Sequence, residues 1–128
     1  MKHRMVVVAV CLAVVPMLLG AEIKLTKAIP NPGGLPGCLN LEGTFQIDGA
    51  QREVFDRVEG RAQSTTFRDL IYISVAAING QNWTASWQPF RLPADRYDCK
   101  GRLYYRLMDD PPNMERFKDS DVLTRLVQ

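Results

Sequence analysis

Histidine is almost missing from this chain. The only one, His3, sits in the N-terminal segment. The remainder has no imidazole for general acid–base work near neutral pH. That excludes Ser-His-Asp and Cys-His nucleophile arrangements and a histidine-based metal site. Walker, Rossmann and HExxH patterns are absent as well. Charge of one sign is also scarce. The chain carries 16 basic and 14 acidic residues, and Lys2 and Arg4 account for the difference. Beyond residue 21 the charges balance, and no positive field exists to hold nucleic acid or a membrane surface. After Leu19 no apolar run approaches the roughly 20 residues of a membrane span.

What is there begins with an export pattern. Lys2, His3 and Arg4 precede the apolar run Met5 to Leu19, and small Gly20 and Ala21 follow. This is the layout of a secretory signal peptide, assigned to residues 1–21. A cut after Gly20 or after Ala21 leaves a leucine three positions back, where a small residue is usual. An uncleaved N-terminal anchor therefore stays open as the alternative. The expected compartment is periplasmic or secreted. Any membrane contact runs through an uncleaved or lipidated N-terminus alone.

Cys11 leaves with that segment. Cys38 and Cys99 remain, an even pair in an exported chain, and are expected to form a disulfide. The loop it would close is long, which the chain-entropy model values at about 4 kcal/mol.

The mature part divides into a Pro/Gly-rich lead-in, 22–41, and a single β-rich domain, 42–128. Its centre is Leu70 to Phe90, where two apolar runs flank Asn79-Gly80, a hairpin signal. Ile71, Ile73 and Val75 alternate with Tyr72, Ser74 and Ala76, apolar on both sides, as in a central strand covered on both faces. Trp83, Ala85 and Trp87 share one face of the return strand and are expected in the core. Glu42 to Ile47 reads as a strand and Asp48-Gly49 as a second hairpin turn. Gln51 to Val58 fits either a strand or a short helix. Arg102 to Leu107 reads as a strand with Leu103, Tyr105 and Leu107 inward and Tyr104 outward. Asp121 to Val127 is a short helix or a last edge strand. The expected fold is mainly β: a small antiparallel β-barrel or meander sandwich of five to six strands with one disulfide. An α+β fold with one short helix is the alternative.

Cys38-Leu39-Asn40-Leu41-Glu42-Gly43-Thr44-Phe45 resembles the C-x-x-L-x-G-T-[YF] opening of small exported bacterial proteins and lipoprotein-like chains. Tyr97-Asp98-Cys99-Lys100-Gly101-Arg102-Leu103 is similar to the second half of that pattern. The resemblance implies a small β-barrel or sheet whose first strand opens at the Gly-Thr-aromatic, in families mostly of unassigned role.

The functional expectation is a non-enzymatic exported envelope protein that binds a protein or a small apolar ligand. The residues expected to carry it are Tyr104 and Phe90, with Asp109, Asp110 and Asn113 in a proline-rich loop. An inhibitor or immunity protein that plugs an exported hydrolase with that loop is the alternative. A carboxylate hydrolase using a pair such as Glu42 and Glu53 is the third reading. The acidic clusters lack the glycine and distal glutamate of a calcium loop, so neither metal nor cofactor is expected.

Overall fold

The computed structural model describes residues 20–128. Nearly all of the expected signal segment, with Cys11, lies outside the described residues.

Nine strands follow in order: β1 Glu22–Pro30, β2 Leu39–Gln46, β3 Glu53–Ser64, β4 Ile71–Val75, β5 Ala77–Asn79, β6 Asn82–Trp87, β7 Asp95–Leu107, β8 Arg116–Asp119 and β9 Leu123–Val127. They form two antiparallel sheets. The first has the order β1-β2-β6-β5. The second has the order β4-β3-β7, with β9 and β8 end to end along the far edge of β7. This is the Greek-key order of an immunoglobulin-type sandwich. β1, β2, β6 and β5 take the places of its A, B, E and D strands, and β3, β7 and the β8–β9 edge those of C, F and G. β4 adds a strand beside β3. A tyrosine corner completes the likeness: Tyr97, near the start of β7, donates its hydroxyl to the Pro93 carbonyl at 2.6 Å.

The sandwich is therefore neither a closed barrel nor a meander, and the described residues form nine strands where five to six were expected. No α-helix occurs among the described residues; the two helical pieces are 3₁₀ turns of three residues each. Asp48-Gly49 starts one of these, with the Asp48 side chain accepting from Ala50 N–H, and carries the chain between sheets instead of closing a hairpin. Gln51 to Val58 is extended from Glu53 onward, and the C-terminal segment supplies β9.

The lead-in is also more than an approach. Residues 22–30 form β1, an edge strand of the first sheet. Ile23, Leu25 and Ala28 are buried, and a bulge between Leu25 and Lys27 resets their alternation. Pro30 ends the strand, and only the stretch through Gly37 stays irregular.

The hairpin at the centre of the sequence is β5–β6, displaced by one residue. Asn79 pairs with Asn82, and Gly80-Gln81 form the two-residue loop. Gly80 has φ +63 at the first central position, where such loops favour glycine. The preceding apolar run is not a central strand. It breaks at Ala76, whose N–H donates to the Val58 carbonyl. Before the break it is β4, an edge of the second sheet, with Ile71, Ile73 and Val75 facing solvent.

The expected disulfide is absent. Cys38 and Cys99 are both free and buried. Cys38 lies at the entry to β2 in one sheet and Cys99 midway along β7 in the other. The Cys99 Sγ–H points at the Tyr97 carbonyl on its own strand. Burial pushes its thiol up to about 12, so Cys99 is a protonated apolar filler.

The core is built on tryptophan against glycine. Trp83 and Trp87 point inward from β6 with Ala85 between them. Gly60 and Gly101 are register partners on β3 and β7, directly beneath. A Cβ on Gly101 would lie 2.5 Å from Trp83 Cζ2, and one on Gly60 2.5 Å from Ala85 Cβ. The paired glycines thus open the notch that the β6 side chains fill. Trp83 Nε1 donates to the Lys24 carbonyl at 3.2 Å, which ties β6 to β1.

Candidate functional site

Register places four rows of side chains on the outer face of the second sheet. Ile71, Ile73 and Val75 on β4 stand opposite Gln63, Arg61 and Glu59 on β3. Those stand opposite Asp98, Lys100 and Arg102 on β7. Asp119 and Phe117 on β8 close the face beside Arg102 and Tyr104. One margin is thus aliphatic and the middle is charged.

The charges are interlocked. Glu59 joins Arg61 at 3.0 Å and Arg57 at 3.3 Å. Asp119 takes Arg102 at 2.7 Å and Lys100 at 2.9 Å. Arg68, from the loop before β4, reaches Asp98 at 2.8 Å. The Arg68 hydrogen bond, helped by one from Thr124, holds the Asp98 carboxyl below its ordinary value. Burial pushes Asp119 up, but its hydrogen bonds from Arg102 and Lys100 together outweigh that and leave it low. Between these pairs lies a concave basin of about 360 Å³ whose cations are Arg61, Arg68, Lys100 and Arg102. Ile71 and Val122 form its apolar walls.

Around the other side of Ile71 runs a groove of about 470 Å³ between β4 and β6. Tyr72, Ile73, Trp87 and Arg91 line it, and Ser74 Oγ crosses it to the Ser86 carbonyl at 2.8 Å. Trp87 Nε1 finds no hydrogen-bond partner among the described residues.

The backbone of β4 faces the same groove. Ser64 N–H donates to the Leu70 carbonyl, and Ala76 N–H to the Val58 carbonyl. By alternation Tyr72 and Ser74 also turn their amides and carbonyls to β3. Ile71, Ile73 and Val75 therefore present theirs to the open edge, and the same residues expose their side chains, Val75 to 68%.

The residues expected to bind are dispersed. Tyr104 is on the outward face as read but only 8% exposed, because Arg57 lies 3.8 Å above its ring and Phe117 packs beside it. Phe90 is 79% exposed on the turn after β6, at φ +66, its N–H held by the Pro36 carbonyl. Asp109, Asp110 and Asn113 lie beyond the other end of β7, roughly 40 Å of strand away from that turn. Asp109 is exposed and pairs with Arg52. Asp110 is structural: it accepts from Leu107 N–H and from Nε and Nη2 of Arg116. Asn113 is exposed on the turn. Glu42 and Glu53 sit on different sheets, and Glu53 is engaged by two backbone amides. The candidate residues that sequence reasoning missed are Ile71, Ile73 and Val75, whose exposure depends on which strands lie beside them.

Asp110 makes a pH test. The Arg116 hydrogen bond, with Leu107 N–H, lowers its carboxyl to about 2. The unfolded value is about 3.9. A carboxyl lower when folded adds stability above its unfolded value, and that contribution is lost as pH falls through the folded one. Asp110→Asn is expected to lower Tm at pH 7. The gap between variant and wild type should close as pH is taken from 4 to about 2. A gap that stays constant over that range would contradict the ion-pair role.

No family model, no curated protein and no solved structure matches this chain.

Proposed function

We propose that this chain is a non-enzymatic exported binding module that takes a protein partner by adding an extended segment of that partner to β4. One observation carries the proposal: β4 is an unguarded edge. Edge strands are normally blunted by charge, proline, bulges or brevity. β1 has Lys24, Lys27, a bulge and a terminal proline, and Arg125 caps its Ala28 carbonyl. β5 is only three residues long. β8 carries Arg116, Lys118 and Asp119. β9 holds Arg125 and is clasped at Gln128 by Asn31. β4 has no charge, no proline and an unbroken register with β3.

Charge complementarity defines the segment. Two cations lie toward its Ile71 end: Arg91, which lines the groove with Ile71, and Arg68, in the basin across Ile71 and shared with Asp98. In an antiparallel addition the partner's C-terminal end lies there. The fitting partner is an extended segment with apolar side chains at alternate positions and a carboxylate, terminal or from Asp or Glu, at its C-terminal end. The tethering of the 109–113 loop by Asp110 favours this over an inhibitor loop. The filled core favours a protein over a small apolar ligand enclosed between the sheets. The envelope setting rests on the N-terminal export pattern.

The test uses a heptapeptide of alternating Thr and Val ending in Asp with a free carboxylate, and a twin ending in an amidated Asn. The acidic peptide should slow hydrogen exchange at the Ile71, Ile73 and Val75 amides. The neutral twin should bind about fivefold more weakly, the worth of about 1 kcal/mol of exposed ion pairing. Ile73→Pro removes an N–H that no partner uses in the free protein, so the fold should persist with Tm changed by a few degrees at most. It should abolish binding. Undiminished binding by Ile73→Pro, or protection confined to other strands, would refute strand addition.

A further inference from the structure

We infer that the mature chain begins at Ala21 and that its new α-ammonium group forms an ion pair with Glu53. The inference rests on the export reading, but on none of the observations about β4. Ala21 is 6% exposed and belongs to the core cluster with Ile23 and Leu25. Its backbone nitrogen donates to Glu53 Oε2 at 3.1 Å. The other carboxylate oxygen, Oε1, accepts from Asp48 N–H at 2.8 Å. Glu53 is half-buried and makes no salt bridge among the described residues. Two amide dipoles hold this carboxylate where a cation would hold it better.

Cleavage between Gly20 and Ala21 supplies that cation and gives up one long contact, the 3.4 Å hydrogen bond from Gln46 Nε2 to the Gly20 carbonyl. Water adds across the peptide bond. Gly20 departs with the carboxylate, and Ala21 keeps the nitrogen, which takes up a proton to become an ammonium group. The group stays 3.1 Å from Glu53 Oε2. A cut one residue later removes Ala21 from the core and takes from Glu53 the nitrogen it binds. Gly20 also suits the position just before the cut, since processing favours a small residue there. A Cβ on Gly20 would lie 3.1 Å from Glu53 Oε2, so the site is narrow on the folded side too. Leu18, three positions back, is the unusual residue in the processing pattern. The cut is made on the extended exported chain, and the ion pair forms as the sandwich closes.

The experiment is export of the full-length chain in a bacterial host, followed by intact mass and N-terminal sequencing of the product. A chain starting at Ala21 is expected. One starting at Glu22 overturns the inference while leaving export intact. One retaining residues 1–20 overturns the export reading and this inference with it. The ion pair has its own readout. The α-amino group of the Ala21 product should titrate higher than that of its Glu53→Gln variant, because the carboxylate favours the ammonium form and the burial of Ala21 is common to both. Identical titration in the two proteins would remove the ion pair even if the start site is correct.

Discussion

Trp83→Ala is expected to destabilise the sandwich by about 3–5 kcal/mol, the usual range for truncating a buried tryptophan. That is a large share of the 5–15 kcal/mol that a domain of this size commonly has. Trp83 is fully buried, and three separate contacts end with its removal. The indole fills the notch above Gly101, packs on Gly43, and hydrogen-bonds the Lys24 carbonyl. The notch cannot collapse easily, because glycine has no side chain to move into it and the β3–β7 ladder beneath is continuous across Gly60 and Gly101. Lys24 O also loses its indole partner, which adds to the penalty. Urea unfolding followed by circular dichroism measures the change. A loss below about 1 kcal/mol would show that Trp83 is not the keystone of this interior.

The outcome also bears on function. A sandwich whose centre is closed by indoles over glycines holds no ligand between its sheets. The proposed binding would then fall to the outer surfaces and the edges, where β4 lies. The filled core and the open edge are consequences of one chain path: β4 leaves the second sheet at Ala76 so that β5 and β6 can deliver both tryptophans to the opposite sheet.

The burial of Trp83, Ala85 and Trp87 was legible, because clean alternation over six residues fixes which side chains share a face. The facing of Leu103 against Tyr104 was legible for the same reason. Neighbours were not. Ile71 to Val75 is apolar in both rows, which the sequence alone equates with a covered strand, yet its exposure was decided by what lies beside β4. Tyr104 faces outward as read, but Arg57, 47 positions earlier, covers its ring through the β3–β7 register. The basin has the same origin: Arg61 meets Lys100 only because β3 and β7 align at Gly60 and Gly101. β1 carries no clear strand signal, because its bulge breaks the alternation and Pro30 and Gly33 follow closely. The disulfide expectation rests on compartment and cysteine count, and neither carries geometry. Gly60, Gly101 and Trp83 left no joint signal, since complementarity between a missing side chain and a large one appears only when the sheets face each other.

That complementarity yields the second large effect. Gly101→Val is expected to cost about 3 kcal/mol, at the upper end for overpacking, because even its Cβ falls 2.5 Å from Trp83 Cζ2 and 2.9 Å from Ile23 Cδ1. Three-dimensional fit, and not backbone conformation, sets this cost: Gly101 is not among the positive-φ glycines, and valine favours a strand. The two variants must therefore interact. In Trp83→Ala the indole is gone, and the valine methyl groups enter the space it occupied. The double variant should be more stable than the sum of the single losses by about 1–3 kcal/mol, the scale of coupling between residues in contact. A double-mutant cycle from urea unfolding measures it. Strictly additive losses would mean that valine at 101 disturbs the β3–β7 ladder itself, and the notch would then be a feature of the backbone and not a seat for the tryptophan.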